Sequence, residues 1–199
     1  MKAAPISAVI LAGGRAQRMG EVDKGLCLLD DKPLVAWVAG CIAPQVDEVL
    51  VSANRNLERY GALGYRVLPD IIPDFPGPLA GLHSGLAAAV NPLWLSVPCD
   101  TPFLPVDLVQ RLRAALLKEG AELAVAVVAG RMQPVICLGH ESLRANLRAF
   151  LERGGRRVGE WQAGLRHVAV PFDEAESFRN VNTPEELELA ERCLHIRDS

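Results

Sequence analysis

The chain has no basic excess: 21 lysines and arginines stand against 24 aspartates and glutamates, for a net charge of −3 over 199 residues. A nucleic-acid binder usually carries the opposite balance, so DNA or RNA is not the expected partner. Cysteine is sparse and scattered, at 27, 41, 99, 137 and 193, an odd count with no C-x-x-C pair. That pattern fits neither a zinc site nor a disulfide framework, and it suits a reducing cytoplasm. No run approaches the ~18 apolar residues of a membrane span. The N-terminus offers one lysine and a short apolar run that soon meets glycine and arginine, so no signal peptide is expected. Also missing are the Walker A pattern G-x-x-x-x-G-K-[ST] and the dinucleotide pattern G-x-G-x-x-G. There is no internal repeat, low-complexity tract or linker.

What is present is a core-forming chain. Half the residues are apolar, and the length suits one domain, residues 1–199, with a real core. Strand-length apolar runs recur at 6–11, 48–53, 66–69, 93–97, 123–128, 135–138 and 165–170. Between them lie helical patterns at 33–43, 78–90, 105–118 and 141–152, with Pro33 and Pro105 as opening residues and Gly120 as a stop. The last helix is announced by "NTPEEL": Thr183 as N-cap, Pro184 at the first helical position and Glu186 closing a capping box. Alternating strands and helices imply a three-layer α/β/α domain, a Rossmann-like fold around a mostly parallel sheet. Ligands in such folds sit outside the carboxyl ends of the strands, so the residues that follow each strand are the candidates.

After the first strand comes "LAGGRAQRMGEVDKG". Glycines 13 and 14 let backbone N–H groups close around phosphate oxygens. Arg15, Arg18 and Lys24 add cations, only partly offset by Glu21 and Asp23. A basic surface loop would read the same way. After the second strand, Ser52-Ala53-Asn54-Arg55 could read a base or a ribose, or simply cap a short helix. After the third comes Asp70, then a proline- and glycine-rich stretch through Gly77, Pro78 and Gly81 that could shape a base pocket or form a rigid connection. After the fourth comes Asp100 in "VPCDTPFLP". A lone carboxylate near a phosphate loop can hold Mg²⁺, which takes oxygen ligands from one or two carboxylates plus substrate phosphates; Asp100 or Thr101 could instead cap the next helix. Together these features suggest an enzyme that uses a nucleoside triphosphate and Mg²⁺ without a P-loop.

The first of these motifs resembles the L-A-G-G-x-x-x-R-M-G-x-x-x-K signature of nucleotidyltransferases. With "GPLAGLHSGL", "PCDTPFLP" and "FRNVNTPEEL", in order from Ile6 to about Leu194, the chain is most similar to the molybdenum cofactor guanylyltransferase family. The resemblance implies transfer of GMP from GTP to the terminal phosphate of molybdopterin, with loss of pyrophosphate. It also implies transient contact with other molybdenum cofactor proteins. Carried over by motif, Leu11, Ala12, Gly13 and Gly14 wrap the nucleotide. Lys24 and Arg18 face its phosphates and act with Asp100 in catalysis. Asp70 belongs to the nucleotide pocket, and Asp100 binds Mg²⁺. Gly77, Pro78, Leu79 and Gly81 lie near the base, and Asn180 and Asn182 lie on the molybdopterin side. The family often has Asn where this chain has Ser52, a shorter group with one donor instead of two.

Two further readings of the class stay open: a CTP-dependent relative, or transfer from a nucleotide to a sugar phosphate. A nucleotide-binding module without turnover is a third, against which intact Lys24 and Asp100 argue. Residues 140–168 hold six arginines, at 144, 148, 153, 156, 157 and 166. This local basic excess suits a phosphorylated acceptor, although Arg144 and Arg148 lie off the apolar stripe of their helix. Trp161, the histidines and the cysteines read as structural.

Overall fold

The structure is a computed structural model and describes residues 3–13, 23–72 and 77–197. Its centre is β1 (Ile6–Leu11), a fully apolar run interrupted only by Ser7. Such a run belongs in the middle of a sheet that is covered on both faces. The chain then forms a short hairpin, β2 (Leu28–Leu29) and β3 (Lys32–Pro33), and α1 (Leu34–Ile42). There follow β4 (Glu48–Ser52), α2 (Leu57–Gly61), β5 (Arg66–Leu68), α3 (Pro78–Ala88) and β6 (Leu93–Pro98). The second half runs α4 (Leu108–Lys118), β7 (Leu123–Val128), β8 (Arg131–His140), α5 (Leu143–Glu152), α6 (Val158–Ala163), β9 (His167–Phe172) and α7 (Pro184–Arg197).

Seven strands make one sheet in the order β5-β4-β1-β6-β8-β7-β9. β5, β4, β1 and β6 pair in parallel, as do β7 and β9, and β8 alone runs antiparallel to both its neighbours. Ile6, Ala8 and Ile10 face the layer formed by α1 and α4. On the other face, Trp94, Leu123 and Val125 pack with α3, α5 and α6, and Val9 and Leu50 pack beside Ala88 and Ala89 at the end of α3. The period-2 alternation of a strand thus produces three layers.

The two glycines inside α3 have a packing reason. A Cβ at Gly85 would stand 2.5 Å from Val9 Cγ1, so the helix lies directly on β1. This close seat brings the N-terminus of α3 to the carboxyl end of β1.

Several boundaries differ from expectation. The helix expected from Pro105 begins at Leu108, because Leu108 N–H first closes a turn onto Pro105 O at 3.2 Å. β8 is much longer than 135–138, since its first half is partly exposed and lacks an apolar signal. It also carries a register shift opposite Val125 and Ala126. The last strand starts at His167 rather than 165, because Leu165 is tied back to Gln162 at 3.0 Å. The capping box forms as expected: Glu186 N–H donates to Thr183 Oγ1 at 3.2 Å and Thr183 N–H to Glu186 Oε2 at 3.1 Å. Among the described residues, no helix is long and apolar enough to cross a membrane.

Candidate active site

The carboxyl ends of the parallel strands lie side by side, and backbone hydrogen bonds hold them one residue beyond the sheet. Ala12 N–H donates to Ser52 O at 2.8 Å, Ala53 N–H to Leu68 O at 3.0 Å and Cys99 N–H to Leu11 O at 3.1 Å. The loops that follow therefore leave from one edge, which puts Gly13, Asn54, Asp70 and Asp100 along a common rim.

At the centre of the rim are Lys24 and Asp100. Lys24 opens a 3-10 turn (Lys24–Leu26) whose backbone bonds, Leu26 N–H to Asp23 O and Cys27 N–H to Lys24 O, fix where its side chain begins. Its Nζ lies 3.8 Å from Asp100 Oδ2 and donates to Asn182 Oδ1 at 2.6 Å. Asp100 keeps only 13% of its side chain exposed. Its other oxygen, Oδ1, is buried without a hydrogen-bond partner. Burial pushes the carboxyl above the usual carboxylate range, and the Lys24 ammonium pulls against that rise. A desolvated carboxylate with one unmet oxygen fits a hard cation. Among the described residues, no group of three or more His, Cys, Asp or Glu could hold a metal. A cation bound at Asp100 would leave positions open for substrate oxygens and water.

The segment before α7 closes one side of this centre. Val181 N–H donates to Asp100 O at 2.8 Å, and the buried Thr101 hydroxyl donates to Asn180 Oδ1 at 3.2 Å. Asn180 and Asn182, expected on the acceptor side, are thus brought to Asp100 and Lys24.

On the other side, Asn54 and Asp70 form a reciprocal pair. Asn54 Nδ2 donates to Asp70 Oδ2 and Asp70 N–H to Asn54 Oδ1, both at 2.8 Å. Asp70 Oδ1 is buried and unpartnered. Burial raises the Asp70 pKa, and the bond from Asn54 opposes the shift. A Cβ on Gly13 would lie 3.4 Å from Asn54 Nδ2, so Gly13 leaves room at this point of the rim.

The remaining candidates divide between the rim and the layer beneath it. Gly77 and Pro78 are exposed at the start of α3, and Gly77 has a φ of 140° that a side chain would strain. Leu79 points into the core, and Gly81 is buried. Ser52 also lies beneath the rim: it is fully buried, and its hydroxyl faces Gly81 without a hydrogen-bond partner. Ser52 reaches the rim through its carbonyl, which holds Ala12. Leu11 and Ala12 have little exposed surface. Gly14, Arg15 and Arg18 lie outside the described residues.

The sequence did not single out Asn54 as a partner of Asp70, nor the surroundings of Asp23. Asp23 Oδ1 accepts from Tyr60 Oη at 2.5 Å, and Oδ2 from Asn56 Nδ2 at 3.0 Å. No periodicity signals such contacts, since 37 residues separate Asp23 from Tyr60. In the arginine-rich segment, Arg148 pairs with Glu152 at 2.8 Å, Arg157 with Glu160 at 3.1 Å and Arg166 with Glu122 at 3.6 Å. Arg144 donates to Ala89 O at 3.0 Å. The backbone of Arg156 approaches the rim: a Cβ on Gly77 would lie 4.0 Å from its carbonyl. Trp161 is buried, stacks on Trp94 and donates to Asn146 Oδ1, in keeping with a structural part.

Known proteins resemble this chain in sequence and in fold. The MobA-like NTP transferase domain family matches residues 8–168. A molybdenum cofactor guanylyltransferase of Burkholderia orbicola is 49% identical over 191 residues, covering 92% of this chain and 93% of that protein. The Ralstonia nicotianae protein of the same name is 45% identical, covering 94% and 97%. Among solved structures, molybdopterin-guanine dinucleotide biosynthesis protein A of Archaeoglobus fulgidus superposes with a TM-score of 0.78 at 22% identity, covering 96% of this chain and 99% of that one. A nucleotidyl transferase of Methanothermobacter superposes with a TM-score of 0.73 at 21% identity, covering 98% and 99%. With a sheet whose loops gather a lysine, a buried carboxylate and glycine-lined turns on one rim, and with relatives this similar over nearly the whole length, the chain belongs to the MobA-like nucleotidyltransferases and, among them, to the molybdenum cofactor guanylyltransferase family.

Proposed function

We propose that this nucleotidyltransferase moves GMP from GTP to the terminal phosphate of molybdopterin, releases pyrophosphate and so makes the guanine dinucleotide form of the cofactor. The observation that carries the reading is the Lys24–Asp100 pair at the carboxyl ends of β1 and β6, 3.8 Å apart, with one Asp100 oxygen unmet. The names of the relatives support the substrates.

In this reading an anionic oxygen of the acceptor phosphate attacks the α-phosphorus of GTP, and the bond to the β-phosphate oxygen breaks. The acceptor phosphate has a second pKa near ~6 by analogy with phosphoserine, so it needs no general base at neutral pH. The difficulty is electrostatic, because one anion must approach another. Lys24 and Arg18 hold positive charge against the triphosphate. Asp100 would hold Mg²⁺ together with nucleotide phosphates, and the ion would supply charge neutralisation at the α-phosphate and the departing pyrophosphate. The turn made by Leu11, Ala12, Gly13 and Gly14 wraps the nucleotide, and Asp70, held by Asn54, lies in the nucleotide pocket. Gly77 and Pro78 present backbone edges to the base, over a floor made by Ser52, Leu79 and Gly81. Asn180 and Asn182 stand towards the acceptor. The enzyme works as one domain in the cytoplasm.

The test is a nucleotide panel with Mg²⁺ and molybdopterin, read as pyrophosphate release. GTP is expected to be the substrate, with ATP and CTP far behind. Guanine offers two donors and an acceptor that adenine does not match, and buried polar groups left unmet discriminate by several kcal/mol, roughly 10⁴-fold or more. Equal use of CTP would sink the guanine assignment and leave the nucleotidyltransferase reading standing.

A further inference from the structure

Lys24 is set in place by neighbours that touch no ligand in this reading. Asp23 precedes it directly, and both oxygens of Asp23 are engaged, one by the Tyr60 hydroxyl at 2.5 Å and one by Asn56 Nδ2 at 3.0 Å. Its carbonyl accepts from Leu26 N–H at 3.0 Å. The ring of Tyr60 is fully buried, and Gly25, just after Lys24, lies against it: a Cβ at 25 would stand 2.5 Å from Tyr60 Oη and 3.2 Å from Cε1. Burial, and then the Asp23 contact, raise the Tyr60 pKa, so the hydroxyl stays protonated and donates. The residues on both sides of Lys24 are therefore registered against one buried tyrosine, on the helix that follows β4.

This arrangement is more than is needed to close a turn. An aspartate beside a phosphate-binding lysine would normally repel the same anion that the lysine attracts. Here its charge is taken up by two donors that point at it from α2 and its N-cap. The Lys24 side chain then reaches Asn182 and Asp100 from a fixed base, in the manner of supporting hydrogen bonds that orient a reactive group.

Building on the proposed role of Lys24 in phosphate chemistry, we infer that Asp23, Tyr60 and Asn56 form a positioning set that holds the lysine in register with the α-phosphate. Tyr60 and Asn56 act through Lys24 and not on substrate.

The test is a double-mutant cycle with Tyr60→Phe, Lys24→Ala and both together, read as single-turnover GMP transfer with enzyme in excess, and by thermal melting. Tyr60→Phe keeps the ring and removes only the hydroxyl. It is expected to lower the rate about 10- to 100-fold, the scale of loss from a slightly misplaced catalytic group. In the Lys24→Ala background the same change is expected to lower the rate no further than about twofold, because residues that act through one another do not add. An unchanged rate in Tyr60→Phe, or an equal loss in both backgrounds, overturns the inference and leaves the tyrosine a packing residue that shows only in melting. Full activity in Lys24→Ala is a different outcome: it removes the role of Lys24 itself, and the positioning set with it. If Tyr60→Phe does not fold, Asn56→Ala, an exposed site, is read in the same two backgrounds against the same criteria.

Discussion

Lys24 donates to Asn182 across 158 residues of sequence, at 2.6 Å, and the contact joins the two ends of the chain at the centre of the site. The bond directs the ammonium to the rim beside Asp100. Lys24→Ala is expected to cost about 2–4 kcal/mol of transition-state stabilisation, the range for a preorganised electrostatic group. Asn182→Ala should cost less, because the lysine remains and loses only its partner. Steady-state kcat/KM for GMP transfer measures both. An Asn182 variant as impaired as Lys24→Ala would mean that the amide contacts substrate directly.

Asp100 is predicted to be indispensable for transfer and adverse for the fold. Its Oδ1 is buried and unmet, and burial already disfavours the charged form. Asp100→Asn removes the charge while keeping the shape. Transfer should fall to background, and the melting temperature should hold or rise, as is common when a poorly compensated buried charge is neutralised. Retained activity would take Asp100 out of the chemistry. A large fall in melting temperature would show that the carboxylate holds the fold together.

How much of this was visible beforehand depends on how local each feature is. The alternation of strands and helices, the position of Asp100 after β6 and the Thr183–Glu186 capping box are set by neighbours in sequence, and the structure has all three. The Lys24–Asn182 and Asp23–Tyr60 contacts are made between side chains far apart in sequence, and no periodicity reports them. Asp23 read as a charge that offsets nearby cations, whereas it is bound by two donors. The first half of β8 is a partly exposed strand without an apolar run, so the sequence carries no signal for it. Ser52 looked like a strand-end ligand. Its side chain falls instead on the face covered by α3, because the strand's alternation sends it towards Gly81.

Asp70 gives a pH dependence with a definite sign. Its pKa is raised in the folded state, chiefly by burial. The folded chain therefore binds more protons at this residue than the unfolded chain does between the two pKa values, and stability falls as pH rises through that window. The window opens at the ordinary value of 3.8 and closes at the raised one. Asp70→Asn abolishes this titration and leaves a carbonyl to accept from Asn54. The variant should melt above the parent at neutral pH, with the gap closing as pH falls towards the ordinary carboxylate value. Melting curves over a pH series decide the matter, and a gap that widened on acidification would reverse the assignment.

The close seat of α3 on β4 can be tested through Gly81 and Ser52. An added methyl at Gly81 would collide with Ser52 Oγ and stand 3.2 Å from both Ser52 Cβ and Leu11 Cδ2. Replacing a mid-helix glycine by alanine gains about 1 kcal/mol of helix propensity. Overpacking a tight contact costs about 1–3 kcal/mol, so Gly81→Ala should destabilise on balance and tilt the start of α3, where Gly77 and Pro78 meet the rim. The Ser52 hydroxyl is buried without a partner, so Ser52→Ala alone should be neutral or stabilising. The double variant removes the collision with Oγ and keeps the propensity gain, and it should recover most of the loss. Chemical denaturation gives the four stabilities, and nucleotide titration of the same proteins reports on the rim. If the two single effects simply add in the double variant, the two residues do not oppose each other across this contact. If Ser52→Ala weakens nucleotide binding without changing stability, its hydroxyl serves the ligand and not the floor beneath it.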